Sequence, residues 1–180
     1  YDSIEETSRN FEALVIANQG EAFSAGANLV LMLLAAQEGE WDDINAAIHR
    51  FQQANMALKY SPRPVVVAPH GRALGGGCEI VLHAARVQAA AELYVGQVEV
   101  GVGLIPAAGG CKELLSRLED PRRVFELVGF AKVSSSAADA RNLGFLRDSD
   151  GISLNRELLI GDAKALARSI ALTYAPGTPR

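Results

Sequence analysis

The fold is decided by the stretch Gly71-Arg-Ala-Leu-Gly-Gly-Gly-Cys-Glu-Ile-Val-Leu-His83, in which three consecutive glycines come just before an apolar run. Because glycine has no Cβ, residues 75–77 can take positive φ and let another group approach their amides closely. A helix that begins near Gly77 also leaves its first amides without intrahelical partners, at the positive end of the helix dipole. The stretch therefore predicts a site that can stabilise a developing negative charge.

Two acidic residues lie near this glycine loop. Glu79 lies two residues past the loop, and Glu99 lies in a second glycine-containing turn, after the strand-like segment 91–95. A pair of carboxylates beside an anion site suits proton transfer. Taken alone, Glu79 could equally be a carboxylate that complements the dipole of a helix N-terminus, and Glu99 a solvated turn residue.

Four segments carry a resemblance to a known family. In chain order they are Ala-Phe-Ser-Ala-Gly-Ala-Asn-Leu (22–29), Ala-Leu-Gly-Gly-Gly-Cys-Glu (73–79), Gly-Gln-Val-Glu (96–99) and Gly-Leu-Ile-Pro (103–106). In this order they resemble the enoyl-CoA hydratase/isomerase (crotonase) family. Segments 131–136, 140–146 and 155–159 resemble the hydratase module of bifunctional 3-hydroxyacyl-CoA dehydrogenase/enoyl-CoA hydratase proteins of fatty-acid β-oxidation.

The resemblance implies an α/β fold, a crotonase-like spiral of ββα units. The family normally has strands before the segment that begins at Phe11. We therefore expect residues 1–180 to be a single crotonase-like domain that is N-terminally truncated and comes from a longer chain. Its C-terminal part, from about residue 120 to 180, is expected to be helical.

Hydrophobic patterning independently predicts alternating strands and helices. Apolar residues at 44, 48, 51 and 58 share one face of a helix that begins at Trp41, and Val65-Val66-Val67-Ala68 is typical of a strand buried on both faces. Further strands are predicted at 11–17, 87–91 and 93–95. Further helices are predicted at 1–10, 78–85, 107–118, 121–130, 137–143 and 155–174. Alternation of this kind favours α/β layering.

What the resemblance implies for function is hydration of an α,β-unsaturated acyl-CoA thioester. It implies catalytic roles for Glu79 and Glu99 and an oxyanion hole made by the backbone amides of Ala27 and Gly76. The substrate-binding residues that it implies are Ala25, Gly26, Gly75, Pro106 and Ala107. Two departures from the family pattern, Ala107 in place of glycine and Val98 in place of proline, predict an altered loop shape.

Two other functions stay open at this point. An enoyl-CoA isomerase, or another crotonase-type acyl-CoA reaction, could use the same oxyanion hole with a single base. A catalytically silent module could bind acyl-CoA or assemble with partners without turnover. The presence of both Glu79 and Glu99 favours the hydratase, because hydration generally uses the pair.

Other chemistries are disfavoured by specific residues. Segment 101–106 imitates a dinucleotide fingerprint but has proline at its sixth position, and the glycine loop lacks the Gly-Lys-Ser/Thr ending of a phosphate loop. Ala22 stands where a nucleophile elbow around Ser24 would need glycine. We therefore expect no separate cofactor, since coenzyme A is part of the substrate.

Metal binding is not indicated either, because the histidines are far apart in sequence and Cys78 and Cys111 form no CxxC pair. These two cysteines are expected to be reduced thiols. His83 lies one helical turn after Glu79, so the two side chains could either interact or point apart.

Composition bounds the partners and the location. A chain of 180 residues with 49% hydrophobic and 21% charged residues fits one globular domain, and a net charge of −4 gives no basic footprint for nucleic acid. No stretch has the length of a membrane span, and no signal-peptide pattern is present. We expect a cytoplasmic or organelle-matrix protein. The resemblance implies a trimer-type homo-oligomer, or a fused or associated 3-hydroxyacyl-CoA dehydrogenase.

Overall fold

Two parallel sheets and eight α-helices alternate along residues 2–178, the part of the chain that this computed structural model describes. The strands are β1 (Leu14–Ile16), β2 (Val65–Val67), β3 (Gly71–Leu74), β4 (Arg86–Ala90), β5 (Leu93–Gly96) and β6 (Gly151–Ser153). The helices are α1 (Asp2–Asn10), α2 (Leu29–Glu38), α3 (Trp41–Lys59), α4 (Gly76–His83), α5 (Gly110–Leu118), α6 (Pro121–Gly129), α7 (Ala137–Leu143) and α8 (Leu159–Ala171). Two 3₁₀-helices span Glu99–Val102 and Arg156–Leu158.

The strands form two parallel sheets. The larger sheet has the order β1-β2-β4-β6, and the smaller sheet pairs β3 with β5. Ser24 extends the smaller sheet through a parallel bridge to Ala73, and Val133 extends it through an antiparallel bridge to Gly96. Twice the chain places one strand in each sheet and then a helix, in β2-β3-α4 and in β4-β5-α5. The predicted α/β class is confirmed, and this repeat is the ββα unit that the resemblance implies.

The larger sheet is covered on both faces. Val65, Val66 and Val67 have no exposed surface, as their unbroken β-branched run predicts for a central parallel strand. On one face, Val66 and Ala90 pack against α8 through Leu159, Ala163 and Ala167. The opposite face of the sheet contributes to the main core, whose other members come from α4, β5, α5, α6 and α7. This core holds α4 rigidly behind the glycine loop.

Helix α3 confirms the prediction from periodicity, but several predicted boundaries are wrong. The helix expected at 78–85 begins at Gly76, because Gly75 leaves the helical region with φ 54°, and it ends at His83, because Ala84 is extended. The helix expected at 107–118 begins at Gly110, since Gly109 has φ 105°. The helix expected at 155–174 is a 3₁₀ turn followed by α8. The helix expected at 1–10 is α1, except that residue 1 lies outside the described residues.

The strand expected at 11–17 is confirmed only as β1, whose three residues are half-buried because it lies at the edge of the larger sheet. Three elements carry no prediction at all. β3 and β6 are short and have no alternating β-branched pattern, and α2 is apolar on all sides, which gives no helical period. Local patterns identify an element only where its apolar residues follow a period or form an unbroken β-branched run.

Helix α2 is apolar and exposed. It begins after Asn28, whose side chain accepts hydrogen bonds from the amides of Val30 and Leu31, and it ends at Gly39 with φ 77°. None of its residues is buried. Within residues 2–178, no helix combines the length and the hydropathy needed to cross a membrane.

Candidate active site

The glycine loop is a tightly packed junction between β3 and α4. The amide of Gly75 donates to the carbonyl of Gly96 at 3.0 Å, which ties the loop to the end of β5. A Cβ on Gly76 would lie 2.8 Å from a ring carbon of Phe51, and a Cβ on Gly77 would lie 2.6 Å from Cβ of Ser24. These approaches leave no room for a side chain, so the glycines bring the backbone of the loop close to both neighbours.

The segment that carries Ala27 runs along this loop. The amide of Ser24 donates to the carbonyl of Arg72, and the amide of Leu74 donates to the carbonyl of Ser24, both at 2.9 Å. Gly26 then turns with φ 95°, where its Cβ would lie 3.4 Å from the carbonyl oxygen of Leu74. The structure therefore brings the two predicted oxyanion segments together.

The amides of Ala27 and Gly76 accordingly belong to adjacent segments. Neither amide donates a hydrogen bond to another group among residues 2–178. Gly76 is the first residue of α4, where an amide has no intrahelical acceptor. The oxyanion role of these two amides stays a prediction, and both are free to take it.

Glu79 is buried and fixed by backbone amides. Its side chain lies in the first turn of α4, and the residue is only 2% exposed. Its Oε1 accepts hydrogen bonds from the amides of Ala108 and Gly110, both at 2.9 Å. Burial raises the pKa of Glu79 to about 7, and the charge of Glu99 adds to this, whereas the bonds from Gly110 and Ala108 oppose it. The residue is therefore a carboxyl group that exchanges a proton near neutral pH.

Glu99 also lies against the glycine loop. It begins the first 3₁₀-helix, and its Oε1 lies 3.3 Å from the position that a Cβ of Gly75 would take. Burial raises its pKa, against the effect of hydrogen bonds from its own amide and that of Val98. The charge of Glu99 also adds to the rise in the pKa of Glu79.

Gln97 supports Glu99 and has no role in the sequence-based prediction. Its side chain is fully buried, and its carboxamide nitrogen, assigned from the hydrogen-bond pattern, donates to Glu99 Oε1 at 3.0 Å and to Oε2 at 3.1 Å. A Cβ on Gly110 would lie 2.1 Å from this carboxamide and 3.1 Å from Cγ of Glu79. Because Gly110 has no side chain, the Gln97 carboxamide that binds Glu99 can pack against the Gly110 amide that binds Glu79.

Helix α3 contributes two further residues that the sequence did not reveal. Gln52 Nε2 donates to the carbonyl of Ala107 at 2.6 Å, and Asn55 Nδ2 donates to the carbonyl of Ala108 at 3.1 Å. Neither contact has a local sequence signal, because each joins a side chain to a main-chain oxygen more than 50 positions away.

The five predicted substrate-binding residues differ in accessibility. Ala25, Gly26 and Ala107 are exposed, Pro106 is half-buried and Gly75 is buried. All lie in the two segments that border the carboxylates, residues 24–27 and 75–76, or in the turn before α5. Their contact with a substrate stays a prediction.

His83 does not interact with the carboxylate of Glu79. Its Nδ1 donates to the main-chain oxygen of Glu79 at 2.7 Å, and its Nε2 lies 3.6 Å from Oε1 of Glu113. Burial lowers the pKa of His83, which favours the neutral ring. Of the two possibilities open from sequence, the structure shows the one in which the side chains point apart.

Comparisons with known proteins point to one family. The family model described as enoyl-CoA hydratase/isomerase matches residues 3–153. A Bacillus subtilis protein named probable 3-hydroxyacyl-CoA dehydrogenase is 48% identical over 178 residues, which cover 94% of this chain and 23% of the relative. A probable enoyl-CoA hydratase of the same organism is 32% identical over 167 residues, covering 92% of this chain and 61% of the relative.

A solved structure extends the likeness to three dimensions. The crystal structure of enoyl-CoA hydratase from Bacillus anthracis superposes with a TM-score of 0.79 at 26% identity, over 94% of this chain and 63% of that one. The chain spans less than two thirds of the length of each of these three proteins. Since the family model covers most of the chain and its strands wind in the crotonase fold, the chain belongs to the enoyl-CoA hydratase/isomerase family.

Proposed function

We propose that the chain adds water across the α,β double bond of an enoyl-CoA thioester. The observation that carries this proposal is the pair of interacting carboxylates, Glu79 and Glu99, both with raised pKa values, beside a glycine loop with free amides. A single base is enough to shift a double bond, whereas hydration must activate water and also deliver a proton. The paired acids therefore favour hydration over isomerisation.

The reaction balances without any other reactant. The oxygen of water bonds to the β-carbon and keeps one hydrogen, while the second hydrogen is transferred to the α-carbon. During attack, negative charge develops on the thioester oxygen. We assign the amides of Ala27 and Gly76 to this oxygen, where they would stabilise the enolate-like state more than the ground state.

The two carboxylates move the proton. Oε1 of Glu79 is occupied by the amides of Ala108 and Gly110, and no hydrogen bond from within residues 2–178 reaches its Oε2. This second oxygen is the one that we assign to water. Because Glu79 and Glu99 interact, the pair can hold one proton between them. One acid then accepts a proton from water, and the other donates a proton to the α-carbon.

The cofactors and partners of the chain follow from the chemistry of hydration. Hydration transfers no electrons, so we propose no redox cofactor, and coenzyme A enters as part of the substrate. Its product is a 3-hydroxyacyl-CoA, and a Bacillus subtilis relative is named probable 3-hydroxyacyl-CoA dehydrogenase. We therefore propose a fused or associated dehydrogenase that acts next in fatty-acid oxidation. The trimer-type oligomer stays a prediction, which sedimentation would check, and so does the cytoplasmic or matrix location.

Turnover of a four-carbon trans-2-enoyl-CoA tests the proposal. Hydration removes the conjugated absorbance of the thioester and yields a 3-hydroxyacyl-CoA that chromatography can identify. Glu79→Gln and Glu99→Gln are each expected to lower kcat by about 10²- to 10⁴-fold. Glu126→Gln, on the exposed side of α6, is the matched control and should leave kcat unchanged.

Other outcomes would replace the assignment. A folded chain that converts a trans-3-enoyl-CoA into its 2-enoyl isomer, but adds no water, would indicate an isomerase. A folded chain that binds acyl-CoA and catalyses neither reaction would indicate a silent binding module.

A further inference from the structure

The turn before α5 is held from the outside by helix α3. Gln52 and Asn55 lie three positions apart on α3, so they project from the same face. Gln52 donates to the carbonyl of Ala107, and Asn55, which is fully buried, donates to the carbonyl of Ala108. The two carboxamides thus bind the peptide groups on either side of Ala108.

One of these peptide groups leads directly to Glu79. The carbonyl of Ala107 and the amide of Ala108 belong to the same peptide unit. Gln52 donates to its oxygen at 2.6 Å, and its N–H donates to Oε1 of Glu79 at 2.9 Å. A donor bound at a peptide oxygen polarises the unit and makes its N–H a stronger donor. Gln52 is therefore linked to Glu79 through a single peptide unit.

Asn55 contacts the same turn through its carboxamide. Its Nδ2 holds the carbonyl of Ala108, and the next residue, Gly109, has φ 105°. Its Oδ1 is buried and has no hydrogen-bond partner among residues 2–178. A buried polar atom without a partner is costly, which makes a purely stabilising role for this side chain a poor explanation.

We propose that Gln52 and Asn55 are positioning residues that hold the amide of Ala108 against the carboxylate of Glu79. The kinetic part of this inference rests on the proposed hydration, but the effect on Glu79 itself does not. Removing either carboxamide loosens the amide of Ala108. The hydrogen bond from the amide of Ala108 favours the ionised carboxylate of Glu79. Its loss therefore raises the pKa of Glu79 further.

The other groups around Glu79 stay in place in such variants. They are Glu99 from the 3₁₀-helix, Cys111 from α5 and Cys78 from α4 itself. On α3, the ammonium of Lys59 is bound to Glu113 at 2.6 Å. A change in the titration of Glu79 would therefore result from the loss of the carboxamide of Gln52 or Asn55.

The test is a ¹³C NMR titration of the glutamate carboxyl groups, with the Glu79 resonance assigned by its loss in Glu79→Gln. Gln52→Leu and Asn55→Leu are each expected to move the midpoint of Glu79 upward by about 0.5 to 1 pH unit, the effect of one weakened hydrogen bond to a charged group. Gln53→Leu is the matched control. Gln53 is exposed, and among residues 2–178 it bonds only His49, on its own helix, so the midpoint should not move.

The pH dependence of kcat supplies the second readout. In both variants the limb of the pH profile that reports the ionisation of Glu79 should move to higher pH by the same amount. We expect kcat itself to fall about 3- to 10-fold. Gln52 is half-buried, so Gln52→Leu remains informative if Asn55→Leu does not fold.

The two readouts separate the inference from the proposed function. A folded Gln52→Leu variant in which Glu79 titrates as in the parent chain would overturn the positioning role, even if the parent hydrates enoyl-CoA. A shifted Glu79 midpoint in a chain that hydrates nothing would support the positioning role and remove the proposed function.

Discussion

Replacing Glu79 by glutamine should stabilise the fold at neutral and alkaline pH. The ordinary pKa of a glutamate is 4.5, and burial raises that of Glu79 to about 7. Between these values the folded chain holds a proton that the unfolded chain has released. The free energy of unfolding therefore falls as the pH rises through this window, and the loss is complete above pH 7.

The magnitude follows from the size of the shift. A rise from 4.5 to about 7, at about 1.4 kcal/mol per unit, corresponds to about 3 to 4 kcal/mol. Glutamine resembles the protonated acid and keeps an oxygen that can accept from Ala108 and Gly110. We therefore expect Glu79→Gln to match the parent chain below pH 4.5 and to exceed its free energy of unfolding by about 3 to 4 kcal/mol above pH 7.

Glu113 provides a control of opposite sign. It is also buried, but hydrogen bonds from Lys59 and Lys112 outweigh the effect of burial and lower its pKa. A lowered carboxyl pKa contributes stability above pH 4.5 that is lost as the pH falls. Glu113→Gln should therefore destabilise the fold at neutral pH, and the difference should shrink in acid.

Urea unfolding of the three proteins from pH 4 to 8.5, followed by far-UV circular dichroism, measures both effects. A Glu79→Gln variant that is no more stable than the parent at pH 8 would refute the reasoning. A stability difference that is the same at every pH would also refute it, because the effect would then not come from ionisation.

Three further predictions use glycine and cysteine positions. Gly110→Ala should lower stability by about 1 to 3 kcal/mol in urea unfolding and reduce hydration, because its Cβ would lie 2.1 Å from the Gln97 carboxamide. The same change at Gly161, inside α8, should raise stability by about 0.5 to 1 kcal/mol, because beyond its chain neighbours and the helix backbone no atom of residues 2–178 lies within 4 Å of the added Cβ. Burial and the two nearby carboxylates raise the pKa of the Cys111 thiol, so iodoacetamide should alkylate it more slowly at pH 8 than a free small thiol. Glu99→Gln should increase that rate, as mass spectrometry would show, and an unchanged rate would contradict the electrostatic explanation.

Much of the fold was predictable because its main elements have one-sided or unbroken apolar patterns. The face of α3 and the run Val65 to Val67 fall in this class. β3 and β6 do not, since pairing with β5 and β4 is what makes these three- and four-residue segments strands. Their identity depends on partners that are distant in sequence.

The candidate site divides in a similar way. Glu79 and Glu99 were identified because their residue types stand at fixed places in ordered motifs. Gln97 lies inside one of those motifs, yet its role depends on a side-chain direction that the sequence does not give. Gln52 and Asn55 contact main-chain oxygens. Every residue type has such an oxygen, so the sequence at 107 and 108 does not indicate these contacts.

The cover that α8 forms over the larger sheet has a consequence for synthesis on the ribosome. Strands β1, β2 and β4 are all translated before α8, which packs against each of them. Until that helix leaves the exit tunnel, the nascent chain presents an uncovered apolar surface that includes Val66 and Ala90. We expect chaperones that bind nascent chains to engage this surface, and release to follow once α8 has docked.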